Sequence, residues 1–441
     1  MSGRRGRSFG ANVLISFAFT GLLTGLAFTN SVVIARWVGA EGRGLYALGV
    51  AALGILIPLT NLGLSFSSTW ALGRRQSLRD VSSLNHLWSG FVLLVSGVLV
   101  AGGLLWFGGI PEVEWALVAM VALGTLPAAV YSENTRGVLL GLGQVVRYNT
   151  VQTLQVVALL VGNLTLLGFG PRAVLLTLVL GYWAPAVLLL LGHVPHALKL
   201  TVPPKGFRQT QIGYGVKATG THLVEVLLIR LDYLLVTPIV GVAALGLYSV
   251  SDQIATVMAW GGQIAGRMML AESSADQEGE NARWKLGLGV RTLIVVVGVA
   301  AIGAAATGWW IIPTVFGAEF ESAFVGMLIL LPAAVMRGST ALIGTYLMGR
   351  NVIRPVLVAG AAAIVVIVVG SPLAAWAFGW LGVAAVRVLA VFVQLALIAR
   401  AYRATTGERF RWVLDGDDIS ALVTWTKVRF ERVRGPRPPE K

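Results

Sequence analysis

Charged and amide side chains stand at intervals inside stretches that are otherwise apolar, and any chemistry must be theirs. In the run 213–240, Lys217, Thr221, Glu225 and Asp232 share one helical side, with His222 near them and Arg230 opposite. In the run 246–271, Tyr248, Asp252, Thr256, Gln263 and Arg267 fall within about 100° of one another on a helical wheel. Asn61 and Ser65 lie 202 positions before Gln263 and Arg267. Arg36 closes the first apolar run, Arg337 stands in the tenth and Arg387 in the last. Ionisable groups in such surroundings are costly and mark a cavity, a transport path or a local ion pair. Glu225, Asp232 and Asp252 are therefore candidates for coupling to protons or sodium, with pairing to an arginine as the structural alternative.

The elements that position these groups are legible in the composition. Of 441 residues 56% are hydrophobic and 12% charged, and the mean hydropathy is +0.78, values of a membrane protein rather than a soluble domain. Runs long enough to cross a bilayer, roughly 20 residues each, occur at 11–35, 44–72, 84–107, 113–140, 146–168, 173–196, 213–240, 246–271, 285–313, 321–348, 354–377 and 380–402. The first is too long, and lacks the small-residue cleavage site, for a secretory signal. An all-α, twelve-helix polytopic protein is expected.

The net charge of +14 would suit nucleic acid in a soluble chain, but its placement argues for lipid and against a nucleic-acid partner. With the N-terminus inside, Arg4, Arg5, Arg7, Arg74, Arg75, Arg79, Arg147, Lys199, Lys205, Arg208, Arg283, Lys285, Arg350, Arg354 and the basic tail collect on one side. Arg36, Arg43 and Arg172 are left on the other. This positive-inside bias places both termini in the cytoplasm. There is no cysteine, so thiolate chemistry is absent. "HVPH" at 193–196 and "DGDDIS" at 415–420 read as a proline-interrupted helix end and a capped turn, so no metal or other cofactor is expected. Residues 404–441 form a basic tail that is either solvated or held on anionic lipid.

The chain is written twice. "VGAEGRGLY" begins at Val38 and "VGVAALGLY" at Val240. "FGG" at Phe107 returns as "FGA" at Phe316, and "LPAAV" at Leu126 returns at Leu331. The offsets are 202, 209 and 205, in one order along the chain. Each period holds six helices, which makes the halves parallel repeats with a substrate site between them. The division expected is an N-terminal segment 1–10, a lobe 11–198, a linker 199–212, a lobe 213–403 and the tail. The phrase itself reads as a tight turn, with Gly39 and Gly44, or Gly241 and Gly246, allowing the reversal and the Tyr at the membrane interface.

"ARWVGAEGRGLYALGVAAL", "NLGLSFSSTWALGRR", "FGAEFESA" and "MGRNVIRP" resemble the oligosaccharide flippases, polysaccharide exporters of the superfamily that also holds multidrug and toxin extrusion transporters and lipid II flippases. The resemblance spans about residues 10–402. It implies a non-enzymatic, two-lobed transporter that moves a polyprenyl-diphosphate-linked oligosaccharide across the cytoplasmic membrane by alternating access. It also implies a monomer working beside a polymerase or glycosyltransferases. A diphosphate headgroup would be gripped by arginine, whose planar fork binds phosphate oxygens and keeps its charge. Arg36, Arg230, Arg267 and Arg337 are the headgroup candidates, with Asn61, Tyr248 and Gln263 as sugar contacts. Three alternatives stand beside this reading: a cation-coupled drug antiporter, a lipid II flippase and a non-transporting scaffold. The first helix, 11–35, lacks the acidic residue such antiporters commonly use. Glu133 and Arg136, three apart, read as a structural ion pair. Asn149, Gln152, Gln155 and Asn163 read as hydrogen-bonding glue or sugar contacts.

Overall fold

The computed structural model describes residues 9–110, 114–197, 201–275, 280–408 and 410–413. All regular structure among them is helical: α1 (Phe9–Asn61), α2 (Leu64–Gly73), α3 (Leu78–Phe107), α4 (Glu114–Gly141), α5 (Val145–Leu166), α6 (Ala173–Ala197), α7 (Lys205–Val240), α8 (Val242–Ala275), α9 (Glu280–Phe316), α10 (Ala323–Gly349) and α11 (Ile353–Thr406). Two of these helices each hold two passes. α1 turns at Gly39 (φ 63°, ψ −162°) and α11 at Gly379 (φ 61°, ψ −153°). With α2 continuing the second pass of α1, twelve passes result. Eight helical stretches among the described residues are long and apolar enough to span a bilayer. α7 is not one of them, because it carries Lys205, Arg208, Lys217, Glu225, Arg230 and Asp232. Of these stretches, α3 and α9, the third pass of each repeat, bury the least of themselves in protein, as helices facing lipid would.

Contacts group the chain into two compact units. One comprises residues 1–252, 309–327 and 364–386, the other residues 253–308, 328–363 and 387–441. In the second, α8 and α10 approach through glycine: a Cβ on Gly262 would come within 2.3 Å of the Gly338 Cα. Small residues of this kind let helices meet where lipid supplies no hydrophobic drive.

The repeated phrase lies in the first unit and departs from its sequence reading. Only its first glycine turns the chain: Gly39 and Gly241 (φ 84°) adopt positive φ, whereas Gly44 and Gly246 are helical. The second glycine exists for contact. A Cβ on Gly44 would stand 1.8 Å from the Val242 carbonyl oxygen, and one on Gly246 would stand 2.0 Å from that of Ala40. Ala40 and Val242 are themselves 202 positions apart, so the two phrases dock on one another reciprocally. The tyrosine of the second phrase is turned into protein: Tyr248 is 1% exposed.

A second departure lies in the second pass, expected unbroken over 44–72. It stops at Asn61, passes through Leu62 (φ 50°) and Gly63 (φ 69°), and resumes at Leu64. Pro58 has already removed one backbone donor from the turn before. Asn61 then caps the new helix, its Oδ1 accepting from the Leu64 N–H at 3.1 Å.

Candidate functional site

Four charged side chains are buried among the described residues: Arg43, Asp232, Asp252 and Arg387. The first three lie in the first unit, close to the docked phrases. Asp232 of α7 accepts from the Tyr248 hydroxyl of α8 through Oδ2 at 2.5 Å and from the Tyr233 backbone N–H through Oδ1 at 3.0 Å. Asp252, four residues beyond Tyr248 and so one helical turn along α8, accepts from the Tyr233 hydroxyl at 2.9 Å. The tyrosine rings meet edge to face, centroids 5.4 Å apart. Each helix thus supplies one acid and one phenol to the other. Burying a carboxylate is tolerable only with such partners.

Guanidinium groups stand against these and related rings. Arg230, one turn before Tyr233, lies 5.7 Å from the centre of that ring, and its stem crosses Gly54. Arg43, within the first phrase, lies 5.7 Å from the centre of Tyr46 and near enough to Tyr233 and Arg230 to interact electrostatically with both. Two cations and two phenol-bonded carboxylates are thus gathered around Tyr233.

The first half carries the neutral counterpart. Tyr46 and Tyr248 are 202 positions apart, as are Asn30 and Asp232. The Asn30 Nδ2 donates to the Tyr46 hydroxyl at 3.2 Å. Asn163 donates to Asn30 Oδ1 at 2.7 Å, and Thr177 donates to Asn163 Oδ1 at 2.9 Å. One pattern is written with an amide in one half and an acid in the other. Applying the 202-residue offset to Asp232 would have found Asn30 in the sequence. Arg43 was hidden because it read as an outer-turn cation.

The remaining candidates scatter. Arg36 donates to the carbonyls of Thr314 and Val315 at the end of α9 (Nε to Val315, 2.9 Å), an arginine at the negative end of a helix. Beside it, Glu319 lies so close to Gly39 that a Cβ there would strike its Oε2. Arg337 donates to Thr256 Oγ1 at 3.3 Å. Asn61 is buried and serves as a cap. Glu225 and Lys217 are exposed on α7. The side chains of Gln263, Arg267 and Thr221, the pair at 193–196 and the segment 415–420 lie outside the described residues. Glu133 and Arg136 do form an ion pair. Among the described residues no group of three or more His, Cys, Asp or Glu side chains could hold a metal. Beyond the charged pair on α7 lies a mainly apolar cavity of about 310 Å³, lined by Leu48, Ala52, Val118, Leu234, Pro238 and Val242, with Glu114 and Trp115 also in its wall.

Comparison with solved structures defines the class first. Lipid II flippase MurJ in an inward closed conformation matches with a TM-score of 0.69 at 12% identity, over 89% of this chain and 87% of that one. An inward-facing multidrug resistance MATE family transporter of the MOP superfamily matches at 0.59 and 14%, over 88% and 96%. The Vibrio cholerae MATE transporter VcmN matches at 0.55 and 13%, over 87% and 93%. The fold is that of the MurJ and MATE transporters, a multi-pass membrane fold. Residues 33–325 match the family described as "Polysaccharide biosynthesis protein", and the chain belongs to that family. No curated protein matches it in sequence.

Proposed function

We propose that the protein is a flippase for a polyprenyl-diphosphate-linked oligosaccharide, working by alternating access in the cytoplasmic membrane with both termini inside. The observation that carries this is the Arg43 and Arg230 pair. Two guanidinium groups beside one another repel unless an anion lies between or near them, and a diphosphate offers the oxygens that their forks fit. Without substrate, Asp232 and Asp252 balance those charges. When a diphosphate arrives, the carboxylates become the repelled party, and a proton or sodium ion on one of them relieves it. That exchange is the coupling we propose. The apolar cavity beyond Asp232 suits part of a prenyl chain, whose affinity grows with each methylene removed from water.

Lipid II flipping uses the same headgroup chemistry and differs in the glycan. A drug antiporter would want anionic or apolar walls, and the paired arginines disfavour it. Liposomes holding the purified protein and a fluorescent polyprenyl-diphosphate oligosaccharide test the reading. The expected result is protein-dependent loss of protection from an external quencher, changed by a proton or sodium gradient. Extrusion of a cationic dye with no lipid movement would transfer the function to the antiporters.

A further inference from the structure

The break in the second pass is not explained by the arginine and carboxylate cluster. The second pass runs as helix from the turn at Gly39 to Asn61, about 33 Å, and α2 adds ten residues, about 15 Å, beyond the break, so the interruption falls inside the pass, nearer its α2 end. Backbone that leaves the helix inside a pass needs partners from neighbouring side chains, water or a ligand. Leu62, a γ-branched residue held at φ 50°, shows that the surroundings impose this shape, since left-handed backbone costs such a residue about 1–2 kcal/mol.

Four elements surround the gap, and the polar atoms they bring are neutral. From α1 come the carbonyls of its last turn, which lack helical donors. Trp88 Nε1 of α3 donates to one of these, the Thr60 oxygen, at 2.8 Å. From α7 comes Thr219, whose Oγ1 would lie 2.3 Å from a Cβ on Gly63; it is 8% exposed and without a hydrogen-bond partner. From α4 comes Asn134. Gly137 rests on the Ser65 backbone and Gly141 on Thr69 and Leu72, a parallel register that sets Asn134 level with Leu62. Asn134 is 0% exposed, and neither its Oδ1 nor its Nδ2 has a partner. Ser89, 7% exposed, likewise has an unpartnered hydroxyl, and the pairing of Asn85 with Ser68 puts it level with Leu64.

We infer that the gap binds a monovalent cation, sodium by size and chemistry. Carbonyl, hydroxyl and carboxamide oxygens at the negative end of a half-helix suit a hard cation, and the absence of a carboxylate in this donor set disfavours calcium or magnesium. Asn134 Oδ1, Thr219 Oγ1 and the last-turn carbonyls of α1 are the ligands. The Asn134 Nδ2 donates to a water beside the ion. The site differs in place and donor set from the Asp232 and Asp252 cluster and stands whatever the transported lipid is.

The test is thermal unfolding of the purified full-length protein in detergent, titrated with sodium, potassium or choline chloride at fixed ionic strength. Sodium should raise the midpoint saturably above the other two salts, as a ligand of the folded state must. Asn134→Leu and the near-isosteric Thr219→Val should each raise the half-saturating sodium concentration by about tenfold or more, the low end of what loss of a supporting metal contact costs. Thr219→Val keeps the reading decisive if Asn134→Leu fails to fold. No sodium-specific rise would mean that water alone fills the gap and overturns the proposal. So would an unchanged sodium titration in both variants. A response abolished by Asp232→Asn while both variants keep it would assign the ion to the carboxylates and equally end the proposal.

Discussion

At the scale of the residue, the account rests on hydrogen bonds to buried carboxylates. Tyr248→Phe removes the donor to Asp232 Oδ2 and leaves a carboxylate oxygen buried without it. The cost should be about 1.5–3 kcal/mol, read as a lowered unfolding midpoint. Asp232→Asn should behave differently. It reproduces in the second half the amide and phenol pair that Asn30 and Tyr46 already form in the first, so the midpoint should move little. Transport, assayed with and without a proton or sodium gradient, should lose its dependence on that gradient. A variant still driven by the gradient would remove Asp232 from coupling. The acids and Tyr248 were legible in the sequence because charge and polarity stand out in apolar runs. Asn163 was legible as hydrogen-bonding glue, the role it has between Asn30 and Thr177, whereas Asn30 and Arg43 were not singled out as a site, since an amide among small polar neighbours, or an arginine at a turn, has many ordinary explanations.

At the scale of the element, the helices followed from apolar length, because a bilayer imposes nearly the same length on every pass. Two features did not. The 202-residue phrase announced a repeat, but the sequence could not say that its second glycine is a contact point rather than a turn; that depends on what the other half presents. The break at 61–63 was equally hidden, since "PLTNLGLS" offers both a polar helix face and a cap, and only the surrounding side chains decide between them. The contact reading makes a prediction. Gly44→Val and Gly246→Val each drive a side chain into a backbone carbonyl, a clash that neither phrase can absorb by rotating a side chain. Both should separate the phrases, exposing a cysteine placed at Ala40 to a water-soluble maleimide. Unchanged labelling relative to the Ala40→Cys parent would show that the phrases are not held by this contact.

At the scale of the whole molecule, the alternating access we propose requires the docked phrases to part. The chain has no native cysteine, so Ala40→Cys introduces a single thiol beside the contact. Its labelling by a water-soluble maleimide should quicken while the protein turns over substrate; labelling that stays the same during transport would rule out separation of the phrases as a step. The central claim is that paired arginines carry a diphosphate headgroup. It is tested most directly by the flipping rate of a polyprenyl-diphosphate oligosaccharide in liposomes, compared between wild type and the Arg43→Gln and Arg230→Gln variants after matched reconstitution. The account predicts protein-dependent movement that falls by about tenfold or more in each variant, as loss of a charge-assisted contact worth about 1.5–3 kcal/mol requires. Wild-type rates in both variants would contradict it.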